Sequence, residues 1–261
     1  MHRLAEKMDA DQPFYGIEPE GLDGRRFQRT TIEQMAAHYL SEIRKIQSAG
    51  PYYIGGYCFG GMVAFEMAQQ LRRDDDSAAL VALFTAPLRY HRLVPSPKSP
   101  PAPPKSASQK LATLMRSPAR ALYRKSAGLV TKTRVRLAPT AYKVWFRLRL
   151  KIPPSMRTLY VWRTLLRAEQ TYVPKPYPGT LVLFHGSDYA SDPNLGWDRL
   201  ADGIEHRIIG KGAQHLRRDL MDDPLVDQTA RELSACIRGA SAASGFPSTS
   251  IGVIFPATRT A

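Results

Sequence analysis

Cysteine is scarce: Cys58 and Cys236 are the two in 261 residues. They cannot form a disulfide framework of the kind that staples small secreted domains, nor make a zinc site of their own. Long apolar runs are absent too. No stretch of about 18 apolar residues occurs, which excludes a transmembrane helix. Met1 to Met8 lack the apolar centre of a signal peptide, so none is expected and the expected location is the cytoplasm. Apolar material as such is not lacking. A hydrophobic share of 43% supports a core and is too high for a wholly disordered chain.

Acids are missing from one long segment. The whole chain has 37 Lys and Arg against 23 Asp and Glu, a formal charge of +14. Between Arg89 and Lys175 stand 20 basic residues and one acid, Glu169. That segment carries +19 and the rest carries −5. A mildly acidic body therefore bears a strongly basic insert. The insert opens on a proline-rich stretch, Pro95 to Pro104, which resists regular structure. Apolar and basic residues follow at helical spacing: Leu111, Leu114 and Met115, then Leu122 and Tyr123, then Tyr142, Val144, Trp145 and Leu148. These predict basic amphipathic helices. Pro174 to Gly179 closes the insert with a second cluster of breakers.

Outside the insert, short apolar runs alternate with helical periods. Strands are predicted at Phe14–Ile17, Tyr52–Gly56, Ala79–Phe84, Thr180–Phe184 and Ile204–Ile209. Helices are predicted over Thr31–Gln47, with Thr30 or Thr31 as cap, over Met62–Leu71 and over Leu225–Ile237. This alternation indicates a mostly parallel sheet flanked by helices. The expected parts are an N-terminal core, 1–88, the insert, 89–178, a C-terminal core, 179–238, and a flexible tail, 239–261, whose one apolar run is Ile251 to Phe255.

Chemistry concentrates at Gly56-Tyr57-Cys58-Phe59-Gly60, between a predicted strand and a predicted helix. The pattern fits the nucleophile elbow, in which glycines permit a very sharp turn. A cysteine there stands at a helix N-terminus, where free N–H groups favour a thiolate. The Phe59 N–H can donate to an oxyanion. The plainer alternative is a glycine-rich turn around a structural cysteine. A base is expected after the last strand, and His215 lies there, ahead of the final helix. His2, His38, His91, His185 and His206 are placed less well, although His185 follows a strand and could line the site. Nucleophile before histidine is the chain order of an α/β-hydrolase.

Several blocks together carry a resemblance: Gln12 to Gly16, the Gly21 to Gly24 turn, Gly50 to Ala68, Tyr177-Pro178-Gly179, Gly196-Trp197 and the loop up to His215. They resemble the thioesterase domains of polyketide and non-ribosomal peptide synthetases over roughly Leu4 to Ile237, apart from the insert, which matches in position alone. The resemblance implies an α/β-hydrolase fold with a large helical basic lid. It implies release of an acyl or peptidyl chain from a carrier-protein phosphopantetheine, by hydrolysis or cyclisation. The phosphopantetheine arrives with the substrate, and no bound cofactor or metal is implied.

Three departures qualify the resemblance. Cys58 stands where most members have serine, and a thiolate suits thioester exchange. Thr85 stands at a common position of the acid and cannot carry its charge; Asp188, or else Asp192, is then expected to orient His215. Both acids could also merely decorate a turn. Upstream of the helix that Leu4 to Met8 ends, the family has a central strand and an oxyanion loop that do not precede Met1. Three readings stand: an upstream start, decay of the domain, or another segment in the slot, for which Ile251 to Phe255 is the candidate. Tyr57, Trp145 and Trp162 are the expected substrate contacts. The insert is expected to dock an acidic carrier protein. An anionic membrane surface is a weaker partner, and nucleic acid is disfavoured because no nucleic-acid motif is present. A degenerate hydrolase that binds without turnover is the competing function.

Overall fold

The computed structural model describes residues 2–9, 12–88, 142–186, 192–210 and 220–245, and the backbone of 252–255. His2–Glu6 forms α1, followed by β1 (Phe14–Gly16), α2 (Ile32–Ile43), β2 (Tyr52–Tyr57), α3 (Phe59–Arg73) and β3 (Ala78–Phe84). After the insert's first part come α4 (Pro154–Thr171), β4 (Tyr177–Gly186), a 3₁₀ turn (Trp197–Arg199), β5 (Ala201–Ile209), α5 (Val226–Ser244) and β6 (Gly252–Phe255). Among the described residues the sheet order is β1-β6-β2-β3-β4-β5, and every pair is parallel.

The apolar strand runs are explained by cover on both faces. In β3, Val81 and Leu83 face one layer, with Ile32, Met62, Phe65 and Trp197. Leu80, Ala82 and Phe84 face the other, with Leu4, Tyr53, Phe184 and Leu233. Thus α2, α3 and α4 cover one side of the sheet, and α1 and α5 the other. This is the expected α/β-hydrolase core.

Local signals set the helix ends. Thr31 is extended at φ −115°, and its Oγ1 accepts from the Gln34 N–H at 3.3 Å. Gln34 Oε1 in turn accepts from the Thr30 N–H at 3.0 Å, a variant of the reciprocal capping box. The helix stops at Ile43, short of the expected Gln47, and Ile46 is exposed rather than on the buried face. The chain must turn there to reach the Gly50-Pro51 entry to β2.

The described part of the insert is docked on the body. Its helical residues 142–147 and α4 place Tyr142, Tyr160, Val161 and Leu165 in the core. The Tyr160 hydroxyl accepts from the Phe27 N–H at 2.9 Å, and the Gly24 carbonyl accepts from the Ile152 N–H at 2.8 Å. Beyond α4, Tyr172 donates to Glu66 Oε2 at 2.9 Å, while Gln70 and Arg73 satisfy Oε1 of the same carboxylate. Burial, and then Glu66, push the Tyr172 phenol far up.

The greatest difference from expectation is after Gly239. α5 continues to Ser244, and Gly245 caps it in the left-handed region at φ +71°; of the tail expected to be flexible, 246–251 and 256–261 lie outside the described residues. Gly252–Phe255 then enters the sheet between β1 and β2. Gly252 aligns with Phe14 on one side and Tyr53 on the other; Phe255 aligns with Gly56. The slot beside the elbow strand is filled by this segment.

Candidate functional site: the Cys58 elbow

Cys58 joins β2 to α3 at φ +52°, ψ −117°, a conformation that a non-glycine residue enters only at a cost of about 1–3 kcal/mol. The surroundings impose it. The Cys58 N–H donates to the Phe84 carbonyl at 2.9 Å, and its carbonyl accepts from the Gly61 N–H at 3.0 Å. A Cβ on Gly56 would lie 2.0 Å from the Gly60 carbonyl oxygen, and one on Gly61 would lie 2.4 Å from the Ala86 Cβ. Strand and helix therefore meet at a distance only glycine permits, and the turn between them pushes Cys58 outward. Cys58 is exposed at the N-terminus of α3. The Phe59 N–H opens that helix and has no acceptor within it. Cys236 competes poorly: it is half-buried on α5, and burial pushes its thiol up despite Arg207 Nε donating to its Sγ at 3.4 Å.

His215 and Asp188 lie outside the described residues. Asp192 is half-buried and begins a turn, its carbonyl accepting from the Leu195 N–H at 3.2 Å. The Leu195 carbonyl accepts from the Leu88 N–H at 2.8 Å, which ties this loop to the exit of β3, beside the elbow. Thr85 also has a positive φ, +43°, and its N–H donates to the Phe184 carbonyl. Tyr57 is half-buried at the end of β2. Trp145 is half-buried and packs on the core, and Trp162 is exposed on α4.

Two supports have structural roles that the sequence did not assign. Trp197 is fully buried, and its Nε1–H donates to the Ala86 carbonyl at 2.7 Å, clamping the β3 exit under α3. The Gly196-Trp197 block marked it as part of the resemblance, without a role. His185, at the end of β4, is 2% exposed. Its Nδ1 lies 3.0 Å from the Gly186 carbonyl, which can only accept, so Nδ1 donates. Its Nε2 then accepts from Nδ1 of His206, 3.2 Å away on β5. Burial, and then the neighbouring His185, lower the His206 pKa. The pair ties the end of β4 to β5. Among the described residues no group of three His, Cys, Asp or Glu could hold a metal ion, and no helix is long and apolar enough to cross a membrane.

Residues 2–121 match the family model of the thioesterase domain. Malpinin synthetase of Mortierella alpina is 39% identical over 95 residues, which are 36% of this chain and 1% of that protein. Polyketide synthase PksR of Bacillus subtilis is 39% identical over 80 residues, 31% of this chain and 3% of that protein. The chain thus spans a small fraction of the curated relatives it matches. Among solved structures, the Vlm2 thioesterase domain bound with a dodecadepsipeptide aligns at TM-score 0.52 and 19% identity, over 89% of each chain. A four-domain non-ribosomal peptide synthetase bound to AMP and glycine aligns at TM-score 0.53 and 24% identity, over 83% of this chain and 16% of that one. By sequence in the part that carries the elbow, and by fold along most of its length, the chain is similar to the thioesterase domains of polyketide and non-ribosomal peptide synthetases.

Proposed function

We propose that the chain releases an acyl or peptidyl group from a phosphopantetheine thioester through an acyl-enzyme on Cys58. The observation that carries the reading is the exposed Cys58 at positive φ, held at the N-terminus of α3 by glycines that cannot be replaced without collision. The Cys58 sulfur attacks the thioester carbonyl carbon. The carbonyl electrons move to oxygen, facing the Phe59 N–H. Collapse breaks the bond to the pantetheine sulfur, which leaves as the thiol after taking a proton. His215 holds the proton from Cys58 and delivers it to that sulfur, then activates water or an internal nucleophile to free the acyl group. Asp188, or Asp192, orients His215. No resident cofactor or metal takes part; phosphopantetheine belongs to the substrate. Tyr57 and Trp145 lie on the elements that would contact the acyl chain, with Trp162 further out on α4.

The insert is the lid and the docking face. Lys143, Arg147, Arg149 and Lys151 are exposed around Val144, Leu148 and Leu150, which are exposed too. Such a surface suits an acidic carrier protein, drawn by charge and held by apolar contact. Thr85 in place of an acid favours a second reading, in which the protein binds a carrier or an anionic surface without turnover. Mass spectrometry after exposure to an acyl-pantetheine thioester separates the two. Turnover predicts a mass increment on Cys58 that is lost in Cys58→Ala and whose formation and decay both slow in His215→Ala. A wild type that never acquires the increment leaves the binding reading.

A further inference from the structure

Among the described residues the sheet has two outer edges, β1 and β5. β1 is three residues long and offers little to pair with. β5 is nine residues long and contains no proline. Its register against β4 is regular from Gly203 to Ile209. A long, regular edge is a template for another strand unless its side chains forbid one.

The ladder shows which backbone groups of β5 point outward. Phe184 turns its carbonyl to β3, where the Thr85 N–H donates to it at 2.8 Å. Leu183 and His185, on either side of it, therefore turn theirs to β5. In a parallel pair such a residue bonds the two neighbours of its partner. Leu183 is level with His206 and His185 with Ile208, so Glu205, Arg207 and Ile209 face β4. The N–H and C=O groups of Ile204, His206 and Ile208 face away from the sheet. Arg207 Nη1 donates to the His206 carbonyl at 3.4 Å, and Gln228 Nε2 to the Ile208 carbonyl at 3.3 Å. Each carbonyl has a second lone pair for another donor.

This edge is its own complement. Ile204-Glu205-His206-Arg207-Ile208 reads apolar, acid, histidine, base, apolar in either direction, with the charges exchanged. A second copy laid antiparallel about a two-fold axis at His206 sets Glu205 opposite Arg207, twice. It also sets Ile204 opposite Ile208, twice. The outward backbone groups fall opposite one another, as an antiparallel ladder requires. Glu205 and Arg207 lie on the α5 side, where Arg207 Nη2 donates to Glu205 Oε2 at 3.0 Å and Arg207 Nε to Cys236 Sγ at 3.4 Å. The second copy doubles that ion pair into a ring of four alternating charges. On the other side, Ile204 packs on the core while Ile208 is 42% exposed, so the pairing covers Ile208. An axis at Glu205 or at Arg207 would instead set like charges face to face, which is destabilising. The charges that repel other registers admit this one.

We propose that the chain pairs with a second copy of itself through β5, joining two six-stranded sheets about a two-fold axis at His206. The pairing does not depend on the reaction at Cys58.

A ladder this short makes a small interface and a reversible dimer, so sedimentation of the full chain is followed from about 1 μM to about 300 μM. The average mass should rise toward twice that of the monomer. Glu205→Arg sets arginine against arginine across the axis, and Arg207→Glu sets glutamate against glutamate. Each variant alone should stay monomeric with its circular dichroism unchanged. Mixed in equal amounts, the two should pair with each other, since every charge contact across the axis is then arginine against glutamate. Ile208→Lys, which disturbs no ion pair, should also abolish the dimer and keep the melting temperature. A wild type that is monomeric throughout the range overturns the proposal. So does a dimer that survives Ile208→Lys, or a mixture of the two charge variants that stays as monomeric as its parts.

Discussion

At the scale of single residues, crowding and burial decide what each position tolerates. Gly56→Ala would force a methyl group to 2.0 Å from the Gly60 carbonyl oxygen. The oxygen belongs to the backbone and the methyl is fixed rigidly to it, so neither can step aside. The expected cost is about 3 kcal/mol, at the upper end for overpacking, with Cys58 acylation lost; chemical denaturation and the adduct assay would measure both. Tyr172→Phe removes a buried donor from Glu66, which keeps Gln70 and Arg73. A loss of about 1–3 kcal/mol should follow, and a denaturation midpoint unchanged from wild type would contradict it. His206 gives a pH signature. Its folded pKa is lowered, so the unfolded chain binds the proton first as pH falls. Stability from this group is therefore present above the unfolded value of about 6.5 and is lost below it. His206→Asn should flatten the pH dependence of stability as pH falls below about 6.5, read from urea unfolding at a series of pH values.

At the scale of elements, short-range signals were legible and long-range pairing was not. The Thr31 cap is written in the sequence, and Thr31→Ala should cost about 1 kcal/mol, as a thermal melt would show. The elbow was legible for the same reason: strand, glycine turn and helix are contiguous, so Gly56, Cys58 and Gly61 announce their own geometry. The end of α2 was not, because Ile46 continues the apolar period by chance while the chain has already turned toward Gly50. β6 was legible as an apolar run, Ile251 to Phe255, and as the segment named in one of three readings of the missing central strand; its register was not legible. Which strands a segment joins depends on an open slot elsewhere, and nothing local encodes that. Ile254→Pro tests the placement. It removes an N–H from a strand paired on both sides, and should broaden or lower the unfolding transition; a melt identical to wild type would mean that β6 adds nothing to the sheet.

At the scale of the molecule, charge and catalysis are separated. The positive excess belongs to the insert, and the elbow belongs to the body. Taken as a whole-chain figure, +14 would suit nucleic acid. Division by position points to a local acidic partner instead. If the exposed Lys143, Arg147, Arg149 and Lys151 steer a carrier protein, then their replacement by glutamate should lower the second-order rate with carrier-bound substrate. The rate with free acyl-pantetheine should stay the same. The wild-type advantage should also shrink between low salt and about 0.5 M salt, as charges beyond the Debye length are screened. Equal effects on both substrates would place the basic face outside docking. The acid and base were legible only as sequence positions, since a single Asp or His carries no periodic signal; Asp188 and His215 lie outside the described residues.

The position of β6 also orders events during synthesis. Phe14 and Gly252 are partners although 238 residues separate them. When β1 and β2 leave the ribosome, the strand that belongs between them has not been made. Two facing edges then stay unpaired until nearly all of the remaining chain follows, and open edges invite pairing with other chains. Closing so long a loop also slows folding. Chaperone dependence and sensitivity to expression rate are thus built into the topology, whatever the stability of the finished sheet.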